Sequence, residues 1–370
     1  MIYLDNAATT RPDAEILLKN KDIYGENFFN PSALYRGGLD AKKRIETARE
    51  QIAAYFPKDY EIVFTSCGSE ADDTAILSFC KRGNFVTTAG EHSAVYETFK
   101  ALKARGADVR FAELNENGSV NESNLLSLID DKTTFVSVVN NETGAINDIN
   151  TLAEKIKALN PSVIFHSDGV QAFGKIPFSL GKCVDLYSIS AHKIGGVKGV
   201  GALIKRKKLN LTPLIYGGGQ ESGLRSGTEN VFGIAVFGDA AEKKRKNLKD
   251  NYEIAKNNKS LFLSLIKDDD LKIITSRNSS PYIVSLSAVG LRGEVILHML
   301  EEKGVSVGTG SVCSSRNRYS RVLAACGYDK AVLDGALRIS TTAETTEEEL
   351  RICAEDLLGC VKKLKGVMNG

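Results

Sequence analysis

Between about residue 42 and residue 205, amphipathic stretches alternate with short apolar runs rich in Val, Ile and Phe. The amphipathic stretches, at 42–56, 94–104 and 149–159, predict helices. The apolar runs have the length of buried strands, and they lie at 61–66, 85–88, 134–139, 163–167, 186–190 and 201–205. This alternation predicts βαβ units and a mostly parallel sheet with helices on both faces, so the fold class is α/β. Ligands of such sheets bind at the carboxyl ends of the strands.

The pattern changes after the three glycines at 217–219. A stretch rich in Lys and Ala at 230–266 predicts one long helix that connects two domains. Strands are then predicted at 272–275, 282–287 and 337–340, with helices at 293–303 and 346–364. We therefore expect a second, smaller domain of the α+β type.

Composition narrows the class of protein. A chain of 370 residues, 42% of them hydrophobic, can bury a large core and exceeds the usual size of one domain. Its 48 Lys and Arg against 46 Asp and Glu give a formal charge of +2, which offers no strong field for nucleic acid or anionic membrane. No apolar run has the length of a membrane span and no leader is evident, so we expect a cytoplasmic protein with a small-molecule substrate. The seven cysteines contain no CxxC pair, which indicates reduced thiols and no metal site.

Polar clusters follow three of the apolar runs. Residues 65–70, Thr-Ser-Cys-Gly-Ser-Glu, lead from a strand into a helix, whose free amides and dipole favour a phosphate, with the Ser69 hydroxyl as a further donor. An ordinary helix cap is the alternative. Asp168 ends another run, with Gln171 close behind, and a carboxylate there can pair with a protonated pyridine nitrogen or simply cap a helix. Lys193, beside Ser190 and His192, suits Schiff-base chemistry, although a solvated surface lysine is commoner.

The ordered set of these clusters resembles the cysteine desulfurase family of class V aminotransferase-like enzymes, which have fold type I and depend on pyridoxal 5'-phosphate (PLP). The resemblance covers nearly the whole chain. It is carried by the segments Tyr-Leu-Asp-Asn-Ala-Ala-Thr-Thr at 3–10, Asn-Pro-Ser at 30–32, Phe-Thr-Ser at 64–66 with Ser-Glu at 69–70, Glu-His at 91–92, Asn-Asn-Glu at 140–142, Ser190 with His-Lys at 192–193, Gly-Gly-Gly at 217–219 and Arg-Ser-Gly-Thr at 225–228.

This resemblance implies a large PLP-binding domain over residues 13–250, built on a sheet of seven strands, and a small domain of residues 1–12 and 251–370. It also implies the roles of individual residues. Lys193 would hold PLP covalently, Asp168 would pair with the ring nitrogen, Gln171 would bond the phenolic oxygen, and His92 would stack on the ring and move protons. Asn141 would contact the ring or the substrate carboxylate, and Arg338 would clamp that carboxylate. The phosphate would be held by Gly68, Ser69, Ser190 and His192, with Thr228 reaching in from the partner of a homodimer.

Cys313 decides the expected reaction. Its segment, residues 308–318, is too rich in Gly, Ser and charge for a core, so we expect an exposed thiol. Arg316 and Arg318 favour the thiolate that attacks sulfur. A buried structural cysteine is the alternative, which better fits the surroundings of Cys80 and Cys326.

Together these features predict a cysteine desulfurase that converts L-cysteine to L-alanine and leaves a persulfide on Cys313. The persulfide would pass to an acceptor such as an iron–sulfur scaffold or a tRNA-thiolation enzyme. Selenocysteine lyase or aminotransferase activity on the same scaffold, or a non-catalytic thiol carrier, are the alternatives. The chain departs from the family pattern at Tyr35, Cys67 and Thr-Ala at 342–343, which leaves the proposed catalytic groups in place.

Overall fold

A computed structural model describes residues 1–137, 142–276, 278–309 and 319–369. The strands in this part of the chain are β1 (Ile2–Leu4), β2 (Tyr60–Thr65), β3 (Asn84–Thr88), β4 (Asp108–Ala112), β5 (Thr133–Ser137), β6 (Ile164–Asp168), β7 (Leu186–Ser190), β8 (Gly201–Arg206), β9 (Leu271–Ile273), β10 (Ile283–Ala288), β11 (Val305–Val307) and β12 (Ala336–Ser340). The helices are α1 (Ala14–Lys19), α2 (Arg36–Ala53), α3 (Gly68–Phe79), α4 (Ser93–Ala104), α5 (Glu122–Ser127), α6 (Ile149–Leu159), α7 (Val231–Lys246), α8 (Leu248–Leu265), α9 (Gly293–Glu302), α10 (Arg321–Ala325), α11 (Lys330–Asp334) and α12 (Glu347–Asn369).

Seven strands form the central sheet in the order β2-β8-β7-β6-β5-β3-β4. All neighbouring pairs are parallel except those of β8, which runs antiparallel to both β2 and β7. The predicted α/β fold with a mostly parallel, seven-stranded sheet is therefore confirmed. Because β6 and β7 are parallel neighbours, with Asp168 paired to Ser188, the residues that follow both strands meet at one edge of the sheet.

Successive strand residues enter different cores. Ile62 and Phe64 pack with α2, α6 and α7, whereas Val63 belongs to a second cluster that contains Ile76 of α3 and Phe99 of α4. This alternation follows from the period of two residues in a strand. Helices therefore cover both faces of the sheet, as the apolar runs predict.

A third core cluster joins α8, α9 and α12 to the remaining sheets. Its strands form an antiparallel sheet in the order β12-β10-β9 and a parallel pair of β1 with β11. The α+β character of this part agrees with the sequence pattern. The division at residues 12/13 and 250/251 stays a prediction.

One sequence expectation needs correction. The stretch at 230–266 is not one helix, because α7 ends at Lys246 and α8 begins at Leu248, with Asn247 between them. The two helices serve different cores: α7 packs on α2, and Phe262 of α8 lies in the core with α12. The strand expected at 134–139 is β5, and residues 138–141 lie outside the described residues.

Within residues 1–137, 142–276, 278–309 and 319–369, no helix combines the length and the apolar character needed to cross a bilayer.

Candidate active site

A cavity of about 290 Å³ lies at the carboxyl ends of β6 and β7. Its other walls come from the start of α3, the residue before α4, the N-terminal segment and β12. Nine of the predicted site residues line it: Gly68, Ser69, His92, Asp168, Gln171, Ser190, His192, Lys193 and Arg338. Residues separated by up to 270 positions in the chain therefore converge where an α/β sheet usually binds its ligand.

A larger cavity, of about 1040 Å³, lies beside this one and shares Asp168 and Gln171 with it. Its other walls come mainly from residues 144–150 and from α8, including Lys256 and Lys259. None of the groups predicted to react with substrate lines it. We therefore place the chemistry in the smaller cavity.

The start of α3 forms a cradle for an anion. No side chain in the described part of the chain caps this helix, since Cys67 at the capping position makes no such bond. Gly68 and Ser69 line the cavity, and their backbone amides lie at the positive end of the helix dipole. Across from them, Ser190 Oγ is buried and has no hydrogen-bond partner among the described atoms. A buried hydroxyl without a partner is costly, which favours a polar ligand at this point.

Lys193 follows β7 in a short 3-10 turn (Ala191–Lys193). Its Nζ donates to the carbonyl oxygens of Ala7 at 2.5 Å and Ala8 at 2.9 Å. The N-terminal segment is itself held against this turn, because the Thr10 amide and hydroxyl both donate to the His192 carbonyl. The amine that would react is therefore positioned by residues from the opposite end of the sequence.

Two carboxyl groups lie close to each other at the base of the cavity. Asp168 Oδ1 accepts from the Val170 amide at 2.8 Å, and burial raises the pKa of Asp168 to about 6 against the opposing effects of that bond and of Lys193. Asp72 of α3 is buried, and burial together with the charge of Asp168 raises its pKa well above the usual value. A positively charged group between them would stabilise both carboxylates.

Gln171 is oriented by two neighbours. Its Nε2 donates to the Ala7 carbonyl at 2.8 Å, and its Oε1 accepts from Lys175 Nζ at 3.2 Å. Lys175 is buried, and burial followed by the charge of Lys193 lowers its pKa well below the usual value. Because Oε1 is engaged, the amide that lines the cavity presents its second N–H as a donor.

His92 stands at the N-cap of α4, where its Nδ1 accepts from the Ala94 amide at 3.2 Å. The proton of the neutral ring therefore lies on Nε2. Burial lowers the pKa of His92 to about 4, and the charges of Lys193, Arg321 and Arg338 act in the same direction. The imidazole is thus neutral at physiological pH.

Arg338 on β12 supplies the cationic wall. Its Nη2 donates to Asp5 Oδ1 at 2.9 Å, while its Nε is buried without a partner among the described atoms. The backbone of Arg338 also exchanges two hydrogen bonds with Gly308, at 2.9 and 2.7 Å. The guanidinium is therefore fixed in place by Asp5 and keeps donors for a carboxylate.

Among the described residues, one predicted site residue lies away from the cavity. Thr228 is exposed and lines a separate small pocket between β2 and the start of α7. Asn141 and Cys313 lie outside the described residues.

Sequence reasoning missed four residues around the site: Asp5, Asp72, Lys175 and Arg321. Asp5 lies within the quoted N-terminal segment and Asp72 two residues after Glu70, so proximity to a motif was an available signal. Lys175 and Arg321 carry no local signal, because Lys175 lies in a turn four residues after Gln171 and the backbone partners of Arg321 are 232 and 230 positions away in the sequence. Their positions become meaningful only in three dimensions.

The cavity thus combines an anion cradle, an amine, a carboxyl pair, a neutral imidazole and an arginine. An amine beside a buried carboxyl suits the covalent binding of an aldehyde with a basic ring nitrogen. The arginine suits the carboxylate of an amino acid.

Comparison with known proteins gives one consistent result. A family model described as "Aminotransferase class-V" matches residues 2–352. A cysteine desulfurase from Nostoc sp. is 35% identical over 387 residues, covering 99% of this chain and 94% of that protein. A cysteine desulfurase IscS from Clostridium botulinum is 36% identical, covering 98% and 94%. A solved structure of a NifS-like protein, 35% identical, has a TM-score of 0.91 and covers 98% of this chain and 99% of that one.

Proposed function

The chain belongs to the class-V aminotransferase family, whose members use PLP, and we propose that it is a cysteine desulfurase. The observation that carries the proposal is the convergence of Lys193, Asp168 and Arg338 on one cavity. These groups match the aldehyde, the ring nitrogen and the amino-acid carboxylate that such a reaction must hold. The alternatives on the same scaffold differ in what happens to the sulfur.

The described residues fit PLP. Gly68, Ser69, Ser190 and His192 would hold the phosphate, and the buried Ser190 hydroxyl would gain the partner it lacks. Asp168 would pair with the protonated ring nitrogen, and Gln171 would donate to the phenolic oxygen. Bound PLP withdraws electrons from the substrate α-carbon. Thr228, exposed on this protomer, would complete the phosphate site of a second copy.

Substrate binding falls to Arg338, whose fixed guanidinium would receive the carboxylate of L-cysteine. Asn141 would contact the ring or that carboxylate. The Lys193 amine would hold the cofactor before substrate binds, and as a free amine beside the bound substrate it would be the base that takes the α-proton. His92, neutral and on the cavity wall, would then move protons to and from the substrate atoms.

The sulfur step belongs to Cys313. Its thiolate forms a bond to the sulfur of the substrate, the carbon–sulfur bond breaks, and its electron pair remains on the substrate carbon. A proton delivered to that carbon and the return of the α-proton from Lys193 to the α-carbon complete alanine. The balance is L-cysteine plus the Cys313 thiol giving L-alanine plus a Cys313 persulfide, which needs no external oxidant or reductant. The persulfide then passes to an acceptor, such as an iron–sulfur scaffold or a tRNA-thiolation enzyme.

We propose a homodimer because several large apolar side chains, three of them between residues 24 and 34, are highly exposed to solvent. Tyr24 is 73% exposed, Phe28 71% and Leu34 91%, and Tyr216, which precedes the three glycines, is 76% exposed. Several large apolar side chains exposed to this extent are typical of a protein interface. A second copy would also supply Thr228 to the phosphate site.

The test is incubation of the PLP-loaded protein with L-cysteine and a reductant, with alanine and sulfide measured together. Equal amounts of both support desulfuration, and alanine without sulfide indicates a retained persulfide. Keto acid production would instead favour an aminotransferase, and activity confined to selenocysteine would favour the lyase. Absence of product and of a Lys193-dependent absorbance band would favour the non-catalytic carrier.

Three variants assign the residues. Cys313→Ser should abolish persulfide formation and leave PLP bound, whereas Lys193→Ala should also remove the absorbance band of the covalently held cofactor. Cys183→Ser, a half-buried thiol that does not line the cavity, is the matched control and should retain activity. Full sulfur transfer by Cys313→Ser would refute the role of Cys313.

A further inference from the structure

Arg321 is the first residue of α10, and its guanidinium reaches across to the segment that carries His92. Nη1 donates to the Ala89 carbonyl and Nη2 donates to the Glu91 carbonyl. The same guanidinium lies over the ring of Tyr96, 3.7 Å from its centroid. Its three partners thus flank His92 on both sides in the sequence.

The segment that Arg321 grips is a tight turn. Thr88 Oγ1 donates to Glu91 Oε1 at 2.9 Å and accepts from the Gly90 amide at 3.2 Å. The turn leads directly into α4, with His92 as its N-cap. A displacement of the Ala89 and Glu91 carbonyls would therefore displace the imidazole.

The residue before Arg321, Ser320, is also fixed by hydrogen bonds. Ser320 Oγ accepts from the Leu323 amide at 3.1 Å, which caps α10, and it donates to Glu142 Oε2 at 2.5 Å. The backbone at Arg321 is thus held in place independently of the bonds that its side chain makes to the turn. Arg321 lies eight residues after Cys313 in the sequence, so it links the two segments to which the proposed function assigns the proton carrier and the nucleophile.

The charges around the imidazole and the guanidinium differ in sign. His92 faces the cations Lys193, Arg321 and Arg338, with Glu91 as its neighbour in the chain. Burial lowers the pKa of Arg321, and Tyr96 together with the acids Glu142, Glu91 and Glu97 acts against this effect. The guanidinium therefore keeps its charge beside an imidazole that avoids one.

We propose that Arg321 is a positioning residue that locks His92 at the wall of the cavity as a neutral imidazole. The proposal rests on the proposed function in one respect, the role of His92 in moving protons. A neutral ring with its proton on Nε2 can give that proton to the substrate side and then take one back at the same atom, whereas a ring that is charged beforehand can only donate.

The test begins with the apoprotein, so that it does not depend on turnover. The chain contains only four histidines, and their ring resonances can be followed by NMR across a pH series, with His92→Gln identifying the signal. In Arg321→Met, the pKa of His92 should rise by about one unit, because one of three cations is lost. It should stay below the ordinary value, since burial and Lys193 remain.

Kinetics supply the second readout. With alanine formation as the assay, Arg321→Met should lower kcat roughly tenfold or more through misplacement of the imidazole, with KM for cysteine changed much less. The acid limb of its pH profile should move upward with the pKa of His92. Arg321→Lys keeps the charge but cannot reach both carbonyls, so it should titrate like the wild type and still lose part of kcat.

Arg206→Met is the matched control. The Arg206 guanidinium also lies over an aromatic ring, 4.3 Å from the Tyr60 centroid, and donates to the Gly181 and Val184 carbonyls, yet it does not line the cavity. Its loss should lower the melting temperature and leave the titration of His92 unchanged.

The outcomes separate the two proposals. If wild type makes no alanine but Arg321→Met shifts the pKa of His92, the proposed function fails and the positioning of His92 stands. If Arg321→Met behaves like Arg206→Met, with only a lower melting temperature, the positioning role is overturned. If Arg321→Met does not fold, Arg321→Lys decides the question. A kcat equal to that of the wild type would overturn the positioning role, and a reduced kcat with an unchanged titration of His92 would support it.

Discussion

Gly201 provides a direct test of the anion cradle. It begins β8 and pairs with Thr65 of β2 on one side and Ser190 of β7 on the other, so it lies between the two strand ends that lead into the cradle. A methyl group at Gly201 would stand 2.5 Å from the carbonyl carbon of Cys67 and 2.8 Å from the Gly68 nitrogen. Backbone atoms cannot rotate away, so Gly201→Ala must move the Cys67–Gly68 peptide.

The size of the effect follows from these distances. Ordinary contact begins at 3.4 Å, so the shortest distance must lengthen by about 0.9 Å. Overpacking of this kind costs about 1–3 kcal/mol of folding free energy. A shift of that size also breaks or bends one charge-assisted bond from the Gly68 amide to the phosphate, worth about 1.5–3 kcal/mol. At about 1.4 kcal/mol for each factor of ten, the dissociation constant for PLP should rise roughly tenfold to a hundredfold.

The assay is a titration of apoprotein with PLP, followed by absorbance, together with thermal unfolding. Gly359→Ala in α12 is the control, because a methyl group there meets nothing within 4 Å. It should leave the dissociation constant unchanged and stabilise the helix by about 0.5–1 kcal/mol. If Gly201→Ala loses stability but binds PLP within twofold of the wild type, the loop at Cys67–Gly68 does not hold the phosphate.

Three further predictions concern single side chains. In the apoprotein, the raised pKa of Asp168, about 6, means that its favourable contribution to stability is present below about pH 4 and is lost as the pH rises through 6. Asp168→Asn should thus gain up to about 3 kcal/mol relative to the wild type between pH 4 and pH 7 in urea unfolding, and a constant difference would contradict the assigned pKa. Arg338→Lys should raise KM for cysteine about tenfold with a smaller change in kcat, since the planar fork is lost; an unchanged KM in alanine assays would exclude the clamp. Lys175→Met should weaken PLP binding roughly fivefold by freeing the Gln171 amide, with little loss of melting temperature because a buried amine is replaced by an apolar chain; tight binding in the same titration would show that Gln171 needs no support.

The sequence predicted the central sheet well because its buried strands are continuous apolar runs. β4 escaped notice since it is an edge strand, where Asp108 and Arg110 interrupt the apolar pattern and face solvent. The break between α7 and α8 also escaped notice, because Asn247 is a weak signal and the two helices belong to different cores, which the local pattern does not distinguish. Local pattern reports burial, whereas the direction of a helix depends on its partners.

The candidate site shows the same division. Residues that follow strands, such as Asp168 and Lys193, were predictable because the carboxyl end of a parallel sheet is where ligands bind. Lys175 and Arg321 were not predictable. Lys175 acts through the side-chain amide of Gln171, and Arg321 acts through the backbone carbonyls of Ala89 and Glu91, which no sequence motif marks. Such support around a reactive group is a matter of packing, which a single sequence does not display.

The contacts of the N-terminal segment set an order of events during synthesis. Residues 2–8 leave the ribosome well before their partners, because β1 pairs with Val305–Val307, Asn6 bonds the Ser340 carbonyl, and Ala7 and Ala8 accept from Lys193. At about 5–20 residues per second, this segment waits roughly 15–70 s for its final partners. The segment whose carbonyls accept from the Lys193 amine is therefore fully fixed only after Ser340 has been made, so the site takes its final form late in the folding of these residues.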